Sequence, residues 1–414
     1  MTYQPPVGSR DLFPLDVAQK SWIEARLQHV FQNWGYHRII TPTLERLDTL
    51  MAGGAVDPST VIQVQDADER LGLRPELTAS IARAAVMRMD GLSFPYRLFY
   101  NGSIFRRSSQ SSHSRQQEYF QSGVELLGSG GIRADAEVLL LLCDGMQMLG
   151  MQQWHLLIGE AGFSRSLLSV FPEGLRSQVR QALAHLDRIA IEILPLSDEL
   201  RERALFLLDL RGKPADVLQA VSTLELSDRQ HQRITNLKTL VELLNDSFAV
   251  RPEQPHPNLI LDLSLVQAFD YYTGIVFEAV NWGASGQRIL AQGGRYDQLL
   301  GLYHPNGESY PGVGFSLNIE DLHHVMLTNG RLPLETPSTQ WLVVPTTPNA
   351  SALAFTHAQA IRESAGRAEL NRVEVDLQER DSPDAVRQYA YQRRIQHIAW
   401  IRADGTIETE EVAI

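Results

Sequence analysis

The sequence changes character in mid-chain, and that change dictates the architecture. From Ser164 to about Leu244 it is rich in Leu, Ala, Gln, Arg and Glu at helical spacing, with few strand signals. Short apolar runs with strand character flank this block. Arg97 to Phe105 and Tyr119 to Leu127 precede it, and Leu259 to Leu263, Ile275 to Val280 and Gly312 to Leu317 follow it. The block therefore reads as a helical insertion, about 165–250, between two parts of one mainly antiparallel sheet. Helices are expected beside that sheet. Leu15 to Trp34 carries Val17, Trp22, Ile23, Leu27, Val30 and Phe31 at helical spacing and stops at Gly35. Ala134 to Leu149 reads as a second helix. Between them, Tyr36 to Pro42 reads as a short strand stopped by proline. The fold class is α+β.

A second boundary lies at 326–340, where Gly330, Pro333, Pro337 and Ser338 mark a linker. The first domain is thus 1–325 and the second 341–414. The second alternates strand (Trp341 to Pro345), helix (Ala350 to Ser364), strand (Val373 to Leu377), helix (Pro383 to Ile395) and strand (His397 to Ile401). Asp404-Gly405 then turns into a last strand. This pattern predicts a small α/β domain with a partly parallel sheet. The net charge of -12 disfavours nucleic acid as a general partner. The single cysteine, Cys143, permits no internal disulfide and no cysteine-based zinc cluster, and its place after the run Val138 to Leu142 makes it a core residue. No run is long enough to span a bilayer. A soluble, cytoplasmic protein without metal or cofactor is expected.

Five patterns carry chemistry. They are Gly35-Tyr36-x-x-Ile39-x-Thr41-Pro42; Arg74-Pro75-Glu76-Leu77-Thr78 with Arg83; Phe105-Arg106 with Gln121-x-Gly123-x-Glu125; Phe269-Asp270-Tyr271-Tyr272-Thr273-Gly274-Ile275-Val276-Phe277-Glu278; and Gly293-Gly294-Arg295-Tyr296-Asp297 with Gly312-Val313-Gly314-Phe315. Glu76 and Glu125 can hold an ammonium group. Thr78, Gln121 and the tyrosines can hydrogen-bond a polar side chain such as imidazole. Singly, each pattern is as easily a packed strand or an ordinary turn. Their order is far more specific.

In that order, residues 5 to 325 resemble histidyl-tRNA synthetase, a class II aminoacyl-tRNA synthetase. Gly35 to Pro42 resembles motif 1, the dimer-forming element, and Tyr100 to Glu125 resembles motif 2. Phe269 to Glu278 and Gly293 to Asp297 resemble the two histidine-specific signatures, and Gly312 to Leu322 resembles motif 3. The C-terminal segment resembles a shortened anticodon-binding domain. By this resemblance Glu76, Thr78, Gln121, Glu125, Tyr271 and Tyr272 are the histidine-contacting positions. The same six residues would also serve as a satisfied polar core.

The departures point away from a synthetase. Gln267 stands where the family's first signature has an arginine that acts on the histidine carboxylate and the α-phosphate. Asp321 stands at the motif 3 arginine that packs on ATP, and would set a negative charge where polyphosphate must sit. Ser108 replaces the motif 2 glutamate, and Arg115 to Tyr119 lacks a further arginine. Adenylation needs cations aimed at charge developing on the α-phosphate, and losing one such donor costs on the order of a hundred- to a thousand-fold. Glutamine does not replace the guanidinium fork. A chain with the histidine contacts kept and the activating arginine lost resembles the ATP phosphoribosyltransferase regulatory subunits of histidine biosynthesis. That resemblance implies a non-catalytic chain and a homodimer core through motif 1. It also implies a hetero-octamer with the short-form catalytic subunit, and feedback inhibition by histidine as effector. Histidine would bind the synthetase-like pocket or the contact between subunits. The alternatives are an active histidyl-tRNA synthetase, a tRNA-binding module and an amino-acid ligase with another acceptor. The second needs a basic surface, and Arg387, Arg393 and Arg394 form the only notable basic cluster of the tail. The last also needs the missing cations.

Overall fold

The computed structural model describes residues 4–52, 56, 58–65, 68–88, 94–107, 116–265, 271–283, 286–364, 370–378, 380 and 382–413. Gln267 and Ser108 lie outside these residues. The chain divides into two compact units, Met1–Leu332 and Pro333–Ile414.

The first unit opens with α1 (Pro14–Asn33). Proline suits a first helical turn, and the Asp16 carboxylate accepts the Phe13 N–H at 3.0 Å. Its Ile23, Leu27, Val30 and Phe31 are buried on one face. Gly35, at φ +79°, ends it. The strand expected over Tyr36 to Pro42 shrinks to β1 (His37–Arg38). The reason is Arg74, which takes the carbonyls of Thr41 and Pro42 at 2.7 and 3.1 Å out of any ladder. β2 (Leu44–Arg46), α2 (Leu47–Leu50), β3 (Gln63–Gln65) and β4 (Arg70–Leu73) follow, the three strands forming a small sheet in the order β2-β4-β3. Next come α3 (Thr78–Val86), β5 (Tyr96–Phe105), β6 (Glu118–Leu127), α4 (Ile132–Met148) and β7 (His155–Glu160).

The helical block comprises α5 (Ala161–Leu168), α6 (Glu173–Ala184), α7 (Arg188–Ile193), α8 (Asp198–Asp209), the two-residue β8 (Arg211–Gly212), α9 (Pro214–Val221) and α10 (Asp228–Ala249). The chain then returns through β9 (Asn258–Asp262), β10 (Ile275–Gly283), β11 (Gly286–Arg295), β12 (Gly312–Asn318) and α11 (Ile319–Thr328). The large sheet runs β1-β5-β6-β12-β11-β10-β7-β9-β8. It is antiparallel except at β1/β5 and β7/β9. Parallel neighbours need a crossover, and α5–α10 are the crossover between β7 and β9. The insertion thus interrupts the sequence without interrupting the sheet.

Strand alternation sorts the sheet into two faces. Val124 and Leu126 face the core built with α1 and α4. Tyr100, Tyr271, Tyr272, Val276 and Tyr296 belong to the other cluster, with Leu77 and Ile81. Cys143 packs against the first core, and burial pushes its thiol up, out of the range of a nucleophile.

In the second unit, β13 (Trp341–Pro345), α12 (Ser351–Ser364), β14 (Val373–Val375), α13 (Pro383–Gln392), β15 (His397–Ile401) and β16 (Ile407–Glu411) form a four-stranded sheet in the order β14-β13-β15-β16. Only the β15/β16 hairpin is antiparallel. Ala350, Ala354 and Ala358 pack on one face, Val386 and Ala390 on the other. α13 stops short of Ile395 because Arg394 takes a left-handed conformation at φ 53°. Among the described residues, no helix is long and apolar enough to cross a membrane.

Arg74 is buried and also donates to the Ser103 carbonyl at 2.9 Å, so one guanidinium joins the 41–42 segment to β5. Arg74→Met strands these carbonyls in a dry site. Urea unfolding is expected to show a loss of about 3 kcal/mol, in line with the cost of unpaired buried polar groups.

Candidate functional site

The site lies on the α3 side of the large sheet. On β6, Gln121, Gly123 and Glu125 share that face by the two-residue repeat of a strand. Antiparallel register sets Gln121 opposite Asn318, Gly123 opposite Ser316 and Glu125 opposite Gly314 on β12. A Cβ at Gly314 would lie 2.0 Å from Glu125 Oε2, so glycine there is what lets the carboxylate lie against the neighbouring strand.

Glu125 is 1 % exposed. Its Oε1 accepts the Thr78 hydroxyl at 2.7 Å, and its Oε2 accepts the Tyr296 hydroxyl. Burial pushes its pKa up to about 8, against the pull of those two donors. Glu76 is also buried, but its carboxylate is committed locally. It accepts the N–H of Thr78 at 2.5 Å and of Ala79 at 2.9 Å, which fixes the start of α3. Burial raises its pKa, and the two backbone donors with the nearby Arg106 charge oppose the rise. Tyr271 and Tyr272 hydrogen-bond each other, with ring centroids 4.7 Å apart.

The structure thus brings together all six residues assigned to histidine contact: Glu76, Thr78, Gln121, Glu125, Tyr271 and Tyr272 line one pocket. Tyr100, Arg106, Gln292, Tyr296 and Ser316 line it too. Arg106 and Tyr296 fall within the sequence motifs, whereas Gln292 lies just outside one and carries no signal of its own. The enclosed volume is only about 20 Å³, roughly one water.

Beside it opens a cleft of about 490 Å³ lined by Arg106, Gln121, Arg288, Gln292, Ser316, Asn318 and Asp321, among others. Asp321, expected to set a negative charge where polyphosphate would sit, lines this cleft within an ion pair. Arg288 Nη1 donates to its Oδ1 at 2.9 Å and Asn318 Nδ2 to its Oδ2 at 2.6 Å. Asp321 also sits in the first turn of α11, where a carboxylate meets the positive end of the helix dipole. The result is a neutral pair at the mouth of the cleft. Arg106 remains as the cation shared by pocket and cleft. Its Nε donates to the Pro75 carbonyl at 2.9 Å, while its Nη2 is buried without a hydrogen-bond partner among the described residues. Among the described residues, no cluster of His, Cys, Asp and Glu could hold a metal ion. A buried carboxyl group, several hydroxyls and a guanidinium thus face one space, a set of donors and acceptors able to hydrogen-bond a small polar ligand.

Comparison with known proteins first defines the class. Residues 8–322 match the family model described as histidyl-tRNA synthetase. The structure of a histidyl-tRNA synthetase from a Nostoc species aligns with TM-score 0.76 at 20% identity, over 99% of this chain and 97% of that one, which establishes the shared fold. A structure titled as an ATP phosphoribosyltransferase regulatory subunit/histidyl-tRNA synthetase from Bacillus halodurans aligns with TM-score 0.78 at 25% identity, over 97% and 99% of the two chains. Similarity over the full length is higher to two other proteins. The ATP phosphoribosyltransferase regulatory subunit of Trichormus variabilis is 60% identical and that of Nostoc punctiforme 58%, each match covering 100% of both chains. The chain belongs to the family of ATP phosphoribosyltransferase regulatory subunits.

The raised pKa of Glu125 has a thermodynamic sign. Between the ordinary carboxyl range and about pH 8 the folded protein holds a proton that the unfolded chain releases. Stability therefore falls as pH rises through that window. Glu125→Gln lacks this equilibrium. Its stability relative to wild type is expected to increase steadily from pH 5 to pH 8 in urea unfolding, and a pH-independent difference contradicts the assignment.

Proposed function

We propose that the chain is the non-catalytic regulatory subunit of ATP phosphoribosyltransferase, with phosphoribosyl transfer carried out by a separate catalytic subunit in the cytoplasm. The same reading makes histidine the effector and the Glu125 pocket its sensor. It also makes the assembly a hetero-octamer. The observation that carries it is the contrast between two adjoining spaces. The pocket keeps an acid, hydroxyls and tyrosines suited to an α-ammonium group and an imidazole. The cleft beside it spends Arg288 on Asp321, where ATP activation needs cations free to meet phosphate. A homodimer core through motif 1 has support in β1, an edge strand of the large sheet with Ile40 exposed beside it.

Two bonds hold the pocket's geometry from the side of β11. The Thr273 N–H donates to the Arg295 carbonyl at 2.8 Å, and the Asp297 N–H donates to the Thr273 hydroxyl at 2.9 Å. Arg295 is itself anchored on Asp135, with Nη2 to Oδ1 at 2.5 Å. The tyrosine wall therefore stands on a buried ion pair, which fixes where a ligand's ring and amine would meet it.

Calorimetric titration of the full chain tests the reading. Histidine is expected to bind and ATP not to bind. Glu125→Ala is expected to weaken histidine ten- to a hundred-fold, roughly the worth of one charge-assisted hydrogen bond. Histidine affinity is expected to rise with pH up to about 8, since an ammonium group favours the ionised carboxylate. Saturable ATP binding strengthened by histidine contradicts the reading and favours a synthetase. Binding of histidine only in the presence of the catalytic subunit moves the sensor to the contact between subunits.

A further inference from the structure

The tyrosine wall is also held from its other side, by the helical insertion. Arg165 on α5 donates from Nη2 to the Tyr272 carbonyl at 2.9 Å. Arg233 on α10 donates from Nη1 to the Thr273 carbonyl at 3.1 Å, and pairs with the buried Glu160 carboxylate at the end of β7. The Ala161 N–H adds a bond to the Gly274 carbonyl at 2.8 Å. Three consecutive carbonyls, 272 to 274, are thus taken by the start of the insertion and by its last helix. Gly162 makes the Arg233 contact possible, because a Cβ there would lie 2.2 Å from Arg233 Nη1. The first and last helices are tied to each other as well, by Gln230 Nε2 donating to Ser166 Oγ at 3.0 Å.

A guanidinium bonded to a main-chain carbonyl fixes the backbone, and through it the tyrosine side chains on that backbone. The space between those tyrosines and Glu125 has room for about one water, so a ligand group larger than that reaches between them only if the walls move. Movement of 271–273 is resisted by Arg295 on β11 and by Arg165 and Arg233 on the insertion. The β11 side is continuous sheet. The insertion side is two side chains on helices that lie outside the sheet order, and is the side able to follow.

Resting on the proposal that the pocket binds histidine, we infer that Arg165 and Arg233 are positioning residues that couple the pocket to the helical insertion, which makes the insertion the output element of the sensor. Occupancy shifts the tyrosine wall, and the two arginines carry that shift into α5 and α10. By linkage the same contacts must act on ligand affinity, since an element that distinguishes two states of the pocket biases binding in return.

The test is amide hydrogen exchange on the full chain with and without saturating histidine, beside titrations of the same proteins. In wild type, histidine is expected to slow exchange in Ala161–Leu168 and in the first turns of Asp228–Ala249. Arg233→Ala and Gly162→Ala, which break the same contact by different means, are each expected to weaken histidine about ten-fold and to abolish the slowing in Asp228–Ala249. Arg233→Lys is expected to restore part of both, which loss of fold would not do. Histidine that saturates wild type while leaving exchange throughout the insertion unchanged overturns the inference. So do variants that keep full affinity and the full slowing. Wild type that binds no histidine under any condition fails the pocket reading itself, and the inference with it.

Discussion

A carboxylate placed in a dry sheet must be given donors or give up its charge, and the first unit is arranged around how Glu125 meets that demand. Thr78 comes from the first turn of α3 and Tyr296 from the end of β11. Gly314 supplies the missing side chain that lets the acid lie between strands. One group thus ties together a helix and three strands that are distant in sequence. Glu76 completes the arrangement from below, because its bonds to the 78 and 79 amides hold α3 at the angle that aims Thr78. The raised pKa of Glu125 records the tension between burial and these donors.

Much of this was legible in the residues. The periodicity of α1, the strands on either side of the helical block and the alternating pattern of the last eighty residues all appear in the structure near their expected bounds. So does the gathering of the six pocket residues, which follows from two-residue alternation on β6 and from the tyrosine pair beside β10. What was hidden had no local signature. β11 is hidden because Gly293 and Gly294 have no side chains to advertise a strand, yet a Cβ would meet Gly314 of β12 and Phe277 at the first and Tyr272 and Ile275 at the second. β1 was overestimated because its apolar neighbours suggest a ladder that Arg74 dismantles from more than thirty residues away. The local commitment of Glu76 was equally invisible, since an acid two residues before a helix serves as cap or ligand with the same letters.

Asp321 shows why charge reversal is best read with its surroundings. Alone, it opposes a polyphosphate by repulsion. In place, it is neutralised by Arg288 and steadied by Asn318 and the helix start, so its effect is to occupy a cation that would otherwise face the cleft. Pairing Asp321 with Arg288 leaves neither of these two charges alone, which is the costly outcome when an ion pair is broken.

The small volume enclosed by the Glu125 pocket bears on dose response. A site whose own hydroxyls already satisfy its acid competes with any newcomer for the same hydrogen bonds. The fraction of molecules standing open divides directly into the apparent affinity. Under the proposed sensor role, such a pocket stays silent at trace concentrations and answers only when its ligand is abundant. Its set point is then adjustable by residues that never touch the ligand, through how firmly they hold the walls together.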